Sequence, residues 1–271
     1  MSEYKLIRKK MKTINTFAKQ NTKKSSPVHP IILERSFNML NELFPQSGEI
    51  IRPMMKYMLH VVKKPDNKGD RENGAGKHYY CAVSTSGKEN HPIGGYYTNG
   101  LDKIAPSART MFEEDYTMAL TMYKAGFIKQ SASYLGRAVH MLSDMCCMPH
   151  ATGMTYFSAH RNFHKAYENL AALIYPDLER AKDIKPEQLD IFSDRSSFSS
   201  ALNNIVESIG YELNFLFFAD IRTIISAHLS NTEITVAALL KRFCEDIELS
   251  PEEAHYIVNG MECRLCDELP A

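Results

Sequence analysis

Five residues able to bind a metal ion crowd into the stretch YLGRAVHMLSDMCCMPHATGMTYFSAHRNFHKAYENL: His140, Asp144, His150, His164 and Glu168. Their spacing reads H-x3-D-x5-H-x13-H-x3-E. Residues four apart share one face of a helix, so His140 with Asp144, and His164 with Glu168, can each address a common point. His150 directly follows Pro149, where a helix carrying the first pair should stop. Imidazole with carboxylate suits zinc, and five such groups exceed what one four-coordinate ion uses. A set this dense suggests a polynuclear zinc site, whose usual chemistry is phosphate-ester hydrolysis.

Helices must position these groups, and the apolar periodicity predicts them nearly throughout. The first runs over 29–44 and the second over 49–64, where Pro53 starts or bends it. Residues 65–104, rich in Gly, Asn and charge, read as a long loop. Helical pattern returns over 106–126, 129–147 and 159–174, with a loop at 148–158. Tyr175-Pro176 opens a connection to Pro186, and 197–229 reads as a core helix broken near Gly210. A further helix is expected after an N-cap at Asn231 or Thr232, and another in SPEEAHYIVNGMECRL. No alternating strand series and no internal repeat are visible. The expected fold is therefore all-α, a multi-helix bundle with a long loop.

Composition sets wider bounds. The 271 residues suffice for a sizeable core, and 44% apolar with 24% charged residues is ordinary for a globular protein. Net charge is zero, yet the first 28 residues carry eight basic side chains and only one acidic, Glu3. A basic arm (1–28) thus precedes a single acidic domain (29–271). The arm reads either as solvated chain, the favoured reading, or as a weak amphipathic helix (Ile7, Met11, Ile14, Phe17) for an anionic membrane surface. No stretch has the length of a transmembrane helix or the core of a signal peptide, which points to the cytoplasm unless a specialised route exports the chain. The six cysteines are then expected to be reduced, and the lone Cys263-x-x-Cys266 lacks the second pair of a structural zinc site.

Upstream of the cluster, His29 opens a helix, while Asp66 and His78 lie in the Gly-rich loop. Singly, each has a plain explanation as a surface, capping or turn residue. The segment YLGRAVHMLSDMCCMPH, however, resembles the YLG-x-x-x-H-x-x-G-D-x-x-x-P-x-H signature of the zinc-dependent phospholipase C family, which includes bacterial phosphatidylcholine-hydrolysing enzymes and alpha-toxin catalytic domains. The downstream H-x3-E, the loop PDNKGDRENGAGKHYY and the early HPIIL are similar as well, so the resemblance covers roughly residues 29–170.

That resemblance implies three zinc sites. Asp66, His78, His140 and Asp144 would hold one, and His150, His164 and Glu168 a second. Asp144 and His29 would share a third with an N-terminal tryptophan. The sequence contains no Trp, so two zincs are expected, with the third weak or absent. Asp66 is implied to orient or deprotonate the attacking water. His160 is an i,i+4 alternative to His164, with the spacing to Glu168 favouring His164. The remaining histidines, His60, His91, His228 and His255, read as structural or exposed.

Asn67 and Ala75 stand where choline-preferring enzymes place aromatics, Ser143 replaces the signature Gly before Asp144, and no β-sandwich pattern follows. Phosphatidylcholine is thereby disfavoured more than phosphodiester hydrolysis itself. The leading expectation is a zinc phosphodiesterase acting on a phospholipid or a small phosphodiester. A single-strand nuclease of the same fold and a non-catalytic zinc protein are the alternatives. The basic arm would suit nucleic acid as well as membrane, but no aromatic-basic stripe accompanies it.

Overall fold

The computed structural model describes residues 28–74, 76–80, 97–98, 104–154, 161–194, 197–212 and 220–248. The basic arm before residue 28, His160, His91 and the helix and C-x-x-C expected after residue 249 lie outside the described residues.

The described chain is all-α, apart from a two-residue antiparallel pairing of β1 (Tyr97–Thr98) with β2 (Ile104–Ala105). Helix α1 (Val28–Leu43) leads into α2 (Pro45–Ile51), a 3-10 turn at Arg52–Met54 and α3 (Met55–Val61). Pro53 sits in that turn, where its missing N–H and its ring bend the second expected helix into two. Then come α4 (Ala108–Lys124), α5 (Ile128–Met145), α6 (Met148–Ala151), α7 (Arg161–Ile174), α8 (Ser199–Glu212) and α9 (Ile221–Ile247).

Helix α5 is the centre of the bundle. Every residue from Ala138 to Met145 is buried, so this segment is enclosed on all sides, as befits a core helix. It forms a hairpin with α4 through Gly126, whose φ of 81° only glycine adopts without strain. Helix α3 crosses α5 at Gly136, where an added Cβ would meet the Met58 backbone at 3.0 Å. A capping box closes the start of α4: the Thr110 N–H donates to Ser107 Oγ at 3.2 Å, and the Ser107 N–H to Thr110 Oγ1 at 2.6 Å.

Helix α1 docks on α9 through polar contacts in the interior. Arg35 Nη1 and Tyr175 Oη both donate to Glu233 Oε1, at 3.2 and 2.8 Å, and Ser36 Oγ donates to the Glu233 carbonyl at 2.8 Å. Held through Oε1 and its carbonyl, while Oε2 is buried without a hydrogen-bond partner among the described residues, this glutamate links the two helices.

Two sequence expectations need correction. Helix α9 runs unbroken through Asn231 and Thr232 from an N-cap at Asp220, whose side chain accepts from the Arg222 N–H. The threonine hydroxyls bond backwards along the helix, Thr232 to the His228 carbonyl and Thr235 to the Asn231 carbonyl, and so cap nothing. The break expected near Gly210 falls just beyond it: α8 passes through Gly210 and ends at Glu212, and α9 starts anew at Ile221. The loop expected at 148–158 begins as the short helix α6, with Pro149 in its first turn.

Candidate metal centre

The eight sequence-selected residues come from five elements; six of them line one cavity, and the buried His140 and His164 complete donor groups with them. His29 stands in the first turn of α1, and His140 and Asp144 lie one turn apart on α5. His150 belongs to α6, and His164 and Glu168 lie one turn apart on α7. Asp66 and His78 are carried by the segment after α3. It is ordered by successive three-residue turns, in which Lys64, Asn67, Asp70 and Asn73 each donate to the carbonyl three residues before.

Three donor groups result, each compact enough to hold a metal ion: His29, Asp66 and His140; His78, His140 and Asp144; and His150, His164 and Glu168. In the first two, Asp144 lies 2.6 Å from His78 Nδ1, 3.3 Å from His140 Nε2 and 3.6 Å from His29 Nε2. Asp66 lies 3.6 Å from His140 Nε2 and 3.9 Å from His29 Nε2. His29 therefore falls in with Asp66 and His140 as well as with Asp144, and the first and third expected sets merge around His140. In the last group, Glu168 Oε1 lies 2.8 Å from His164 Nε2 and 3.2 Å from His150 Nε2.

The rings are aimed by the main chain. The Nδ1 atoms of His140, His150 and His164 face the carbonyls of Val62, His78 and Met154 at 2.7, 2.9 and 2.8 Å. In the neutral ring, an Nδ1–H donated to a carbonyl leaves Nε2 as the lone-pair nitrogen towards the cavity, the form in which histidine ligates a metal. His29 Nδ1 is buried without a hydrogen-bond partner among the described residues. Imidazole nitrogens mixed with carboxylate oxygens and no thiolate suit zinc in an open, reactive site.

Electrostatics separate the groups. Burial draws His29 down to about 3, helped by the neighbouring His140 charge. Partial desolvation among the cavity groups and the charge of Asp144 raise the Asp66 carboxyl above its ordinary range, although the side chain is still reached by solvent. Burial also opposes ionisation of Asp144, but His140 and His150 hold it well below that range. Hydrogen bonds from His150 and His164 likewise outweigh burial at Glu168 and take it to about 2. His150 rises to about 9, with Asp144 and Glu168 overcoming its burial.

The cavity has a volume of about 870 Å³. Its lining includes Lys63, Asp66 and Asn73 from the segment that follows α3, and the apolar Ile32, Ala171 and Leu229 from α1, α7 and α9. Tyr79 stacks on His150 with ring centroids 5.0 Å apart and meets His164 edge-on. Ser143, in the signature-glycine position, is buried and donates to the Val139 carbonyl at 2.7 Å. His60 is exposed. His228 is buried at the cavity wall: Tyr167 Oη donates to its Nδ1, and its Nε2–H donates to Glu212, both at 2.6 Å. Sequence spacing gave no sign of this chain, because its members lie 61 and 16 residues apart.

Residues 28–242 match the family model of zinc-dependent phospholipase C, well beyond the stretch to residue 170 in which the motifs lie. In three dimensions the chain is similar to the alpha-toxin of Clostridium perfringens from avian strain SWCP, at a TM-score of 0.63 and 17% identity over 82% of this chain and 64% of that one. It is also similar to the alpha toxin of Clostridium absonum, at a TM-score of 0.65 and 15% identity over 83% of this chain and 64% of that one. The chain thus spans less than two thirds of either toxin. No curated protein matches it in sequence. With more than half its length matched, the chain belongs to the zinc-dependent phospholipase C family.

Proposed function

We propose that the protein is a zinc-dependent phosphodiester hydrolase of phospholipase C type. The gathering of eight imidazole and carboxylate side chains into three compact donor groups, six of them lining one cavity, carries this reading. Zinc held there supplies a water of pKa about 7 and positive charge against the phosphate oxygens.

The side chains do the rest. His29, His140, His150 and His164 present nitrogens, and Asp144 and Glu168, both held ionised, balance the charge. Asp66 differs from them. Its side chain is 59% exposed against 5% for Asp144, so it stands at the lip where a water enters. Its raised pKa favours taking a proton on a carboxylate oxygen as the water attacks. Tyr79 covers the His150 ring and an edge of His164, leaving Glu168 as the solvent-reached member of that group.

The substrate in this reading is a phospholipid. The apolar lining at Ile32, Ala171 and Leu229 suits its glyceride portion, and the polar lining at Lys63 and Asn73 its headgroup. A lysine there, with Asn67 exposed beside Asp66, favours a polar or anionic headgroup over choline.

Elemental analysis of the purified protein, followed by hydrolysis of phospholipids, small phosphodiesters and single-stranded DNA, tests the proposal. Bound zinc with phospholipid cleavage is expected. Zinc-free protein, or zinc without phosphoesterase activity, refutes it, and cleavage of DNA alone transfers the assignment to a nuclease.

A further inference from the structure

Outside the donor groups, the densest cluster of charge lies where the segment carrying Asp66 touches the bundle. Arg137, on α5 one turn before His140, forks onto Asp70, with Nη1–Oδ1 and Nη2–Oδ2 both 2.8 Å. Its Nη1 also lies 2.8 Å from Glu72 Oε2. From the loop, Arg71 reaches back, with Nε 2.8 Å from Glu72 Oε1, Nη1 3.2 Å from Glu114 Oε1 on α4, and Nη2 bonded to Asp115 on α4. Two arginines facing opposite ways thus staple residues 70–72 to α4 and α5. Asn73, the next residue, donates through Nδ2 to the Asp66 carbonyl at 3.0 Å.

We infer that Arg137 is a positioning residue for Asp66. Its bidentate pairing fixes the loop segment 66–73 against the helix that also carries His140 and Asp144. The far end of the loop has other moorings: Tyr80 N–H donates to the His150 carbonyl and Ala108 N–H to the Tyr79 carbonyl. His78 is therefore tied to the bundle by backbone, whereas the Asp66 end has only its own local backbone turns and reaches α4 and α5 through side chains. A planar fork suits this task because two parallel bonds set direction as well as distance, which a lysine cannot reproduce. Fully buried, Glu72 would be costly without its arginine partners, so the cluster acts as one unit.

This inference rests on the reading that the donor groups hold zinc, and one experiment separates the two. Apo protein is titrated with zinc against a chromophoric chelator in the wild type, Arg137→Gln and Arg137→Lys. Glu168→Gln, which disables the His150 group, marks which zinc each signal reports. Arg137→Gln should weaken the zinc beside Asp66 by about 10–100-fold, as loss of an outer orienting partner does, and leave the His150 group within twofold. Arg137→Lys should fall between the two. Unchanged affinities, or equal weakening of both zincs, overturn the role of Arg137 while leaving the metal assignment standing. A wild type that takes up no zinc overturns both. Should Arg137→Gln fail to fold by circular dichroism, Asp70→Asn carries the same test, since it removes the fork and keeps the Arg137–Glu72 contact; selective weakening supports the inference and uniform or absent weakening overturns it.

Discussion

The two halves of the metal centre are built by different means. His150, His164 and Glu168 belong to helices, and their donor atoms lie 2.8 to 3.3 Å apart. Their acid is pulled to about 2 by its own histidines. Asp66 and His29 belong to a loop and a helix end, with separations of 3.6 to 3.9 Å, and Asp66 is raised rather than lowered. The first half is a mutually paired set on two helices, with only Glu168 reached by solvent. The second is looser and more exposed, which suits a group that must exchange water and protons while the other half keeps its place.

The largest test of this contrast is Asp66→Asn. Turnover should fall by about 10²–10⁴-fold, with zinc at the His150 group unchanged; near-normal turnover would remove Asp66 from the chemistry. Glu168→Gln should weaken zinc at its own group by at least about 100-fold and spare the zinc beside Asp66. Simultaneous loss of both ions in a chelator titration would mean that the halves are one unit. Gly136→Ala strikes the helix shared by both halves, because the new methyl meets the Met58 backbone. Thermal unfolding should show a loss of about 1–3 kcal/mol, with zinc affinities lowered in parallel.

Tyr167→Phe strips the hydroxyl that ties α7 to His228. It should cost about 1–3 kcal/mol in denaturant unfolding by leaving His228 Nδ1 unpaired, and should loosen only the His150 group. The smallest expected effect is one of pH. Hydrogen bonding to Arg137 depresses Asp70 from 3.8 to about 2. That contribution to stability is complete above pH 3.8 and disappears as the pH falls through about 2. Melting of apo Asp70→Asn should therefore differ from wild type above pH 4 and converge with it towards pH 2; parallel curves would show that the fork contributes no such linkage.

The helix-borne half is legible in the sequence because i,i+4 spacing is local, and α5 and α7 keep the phase that His140–Asp144 and His164–Glu168 imply. Asp66, His78 and His29 have no local pattern and stand out only through likeness to a known motif. Arg137 and Asp70 are 67 residues apart, and nothing in either neighbourhood marks them as partners. Asn231 and Thr232 mislead for a related reason: their residue types cap helices, but burial lets Thr232 bond the carbonyl behind it instead. Local chemistry is readable wherever its partner is one turn away, and unreadable where folding supplies the partner.

The carbonyls that aim His140, His150 and His164 bear on how this centre could diversify. Since Val62, His78 and Met154 contribute only backbone oxygens to that aiming, exchange of the Val62 or Met154 side chain leaves the ring orientation intact. Val62 is fully buried in the core and Met154 packs against it, so the exchange must be between side chains of similar volume: the aiming constrains the backbone at these positions, and the core constrains their side chains.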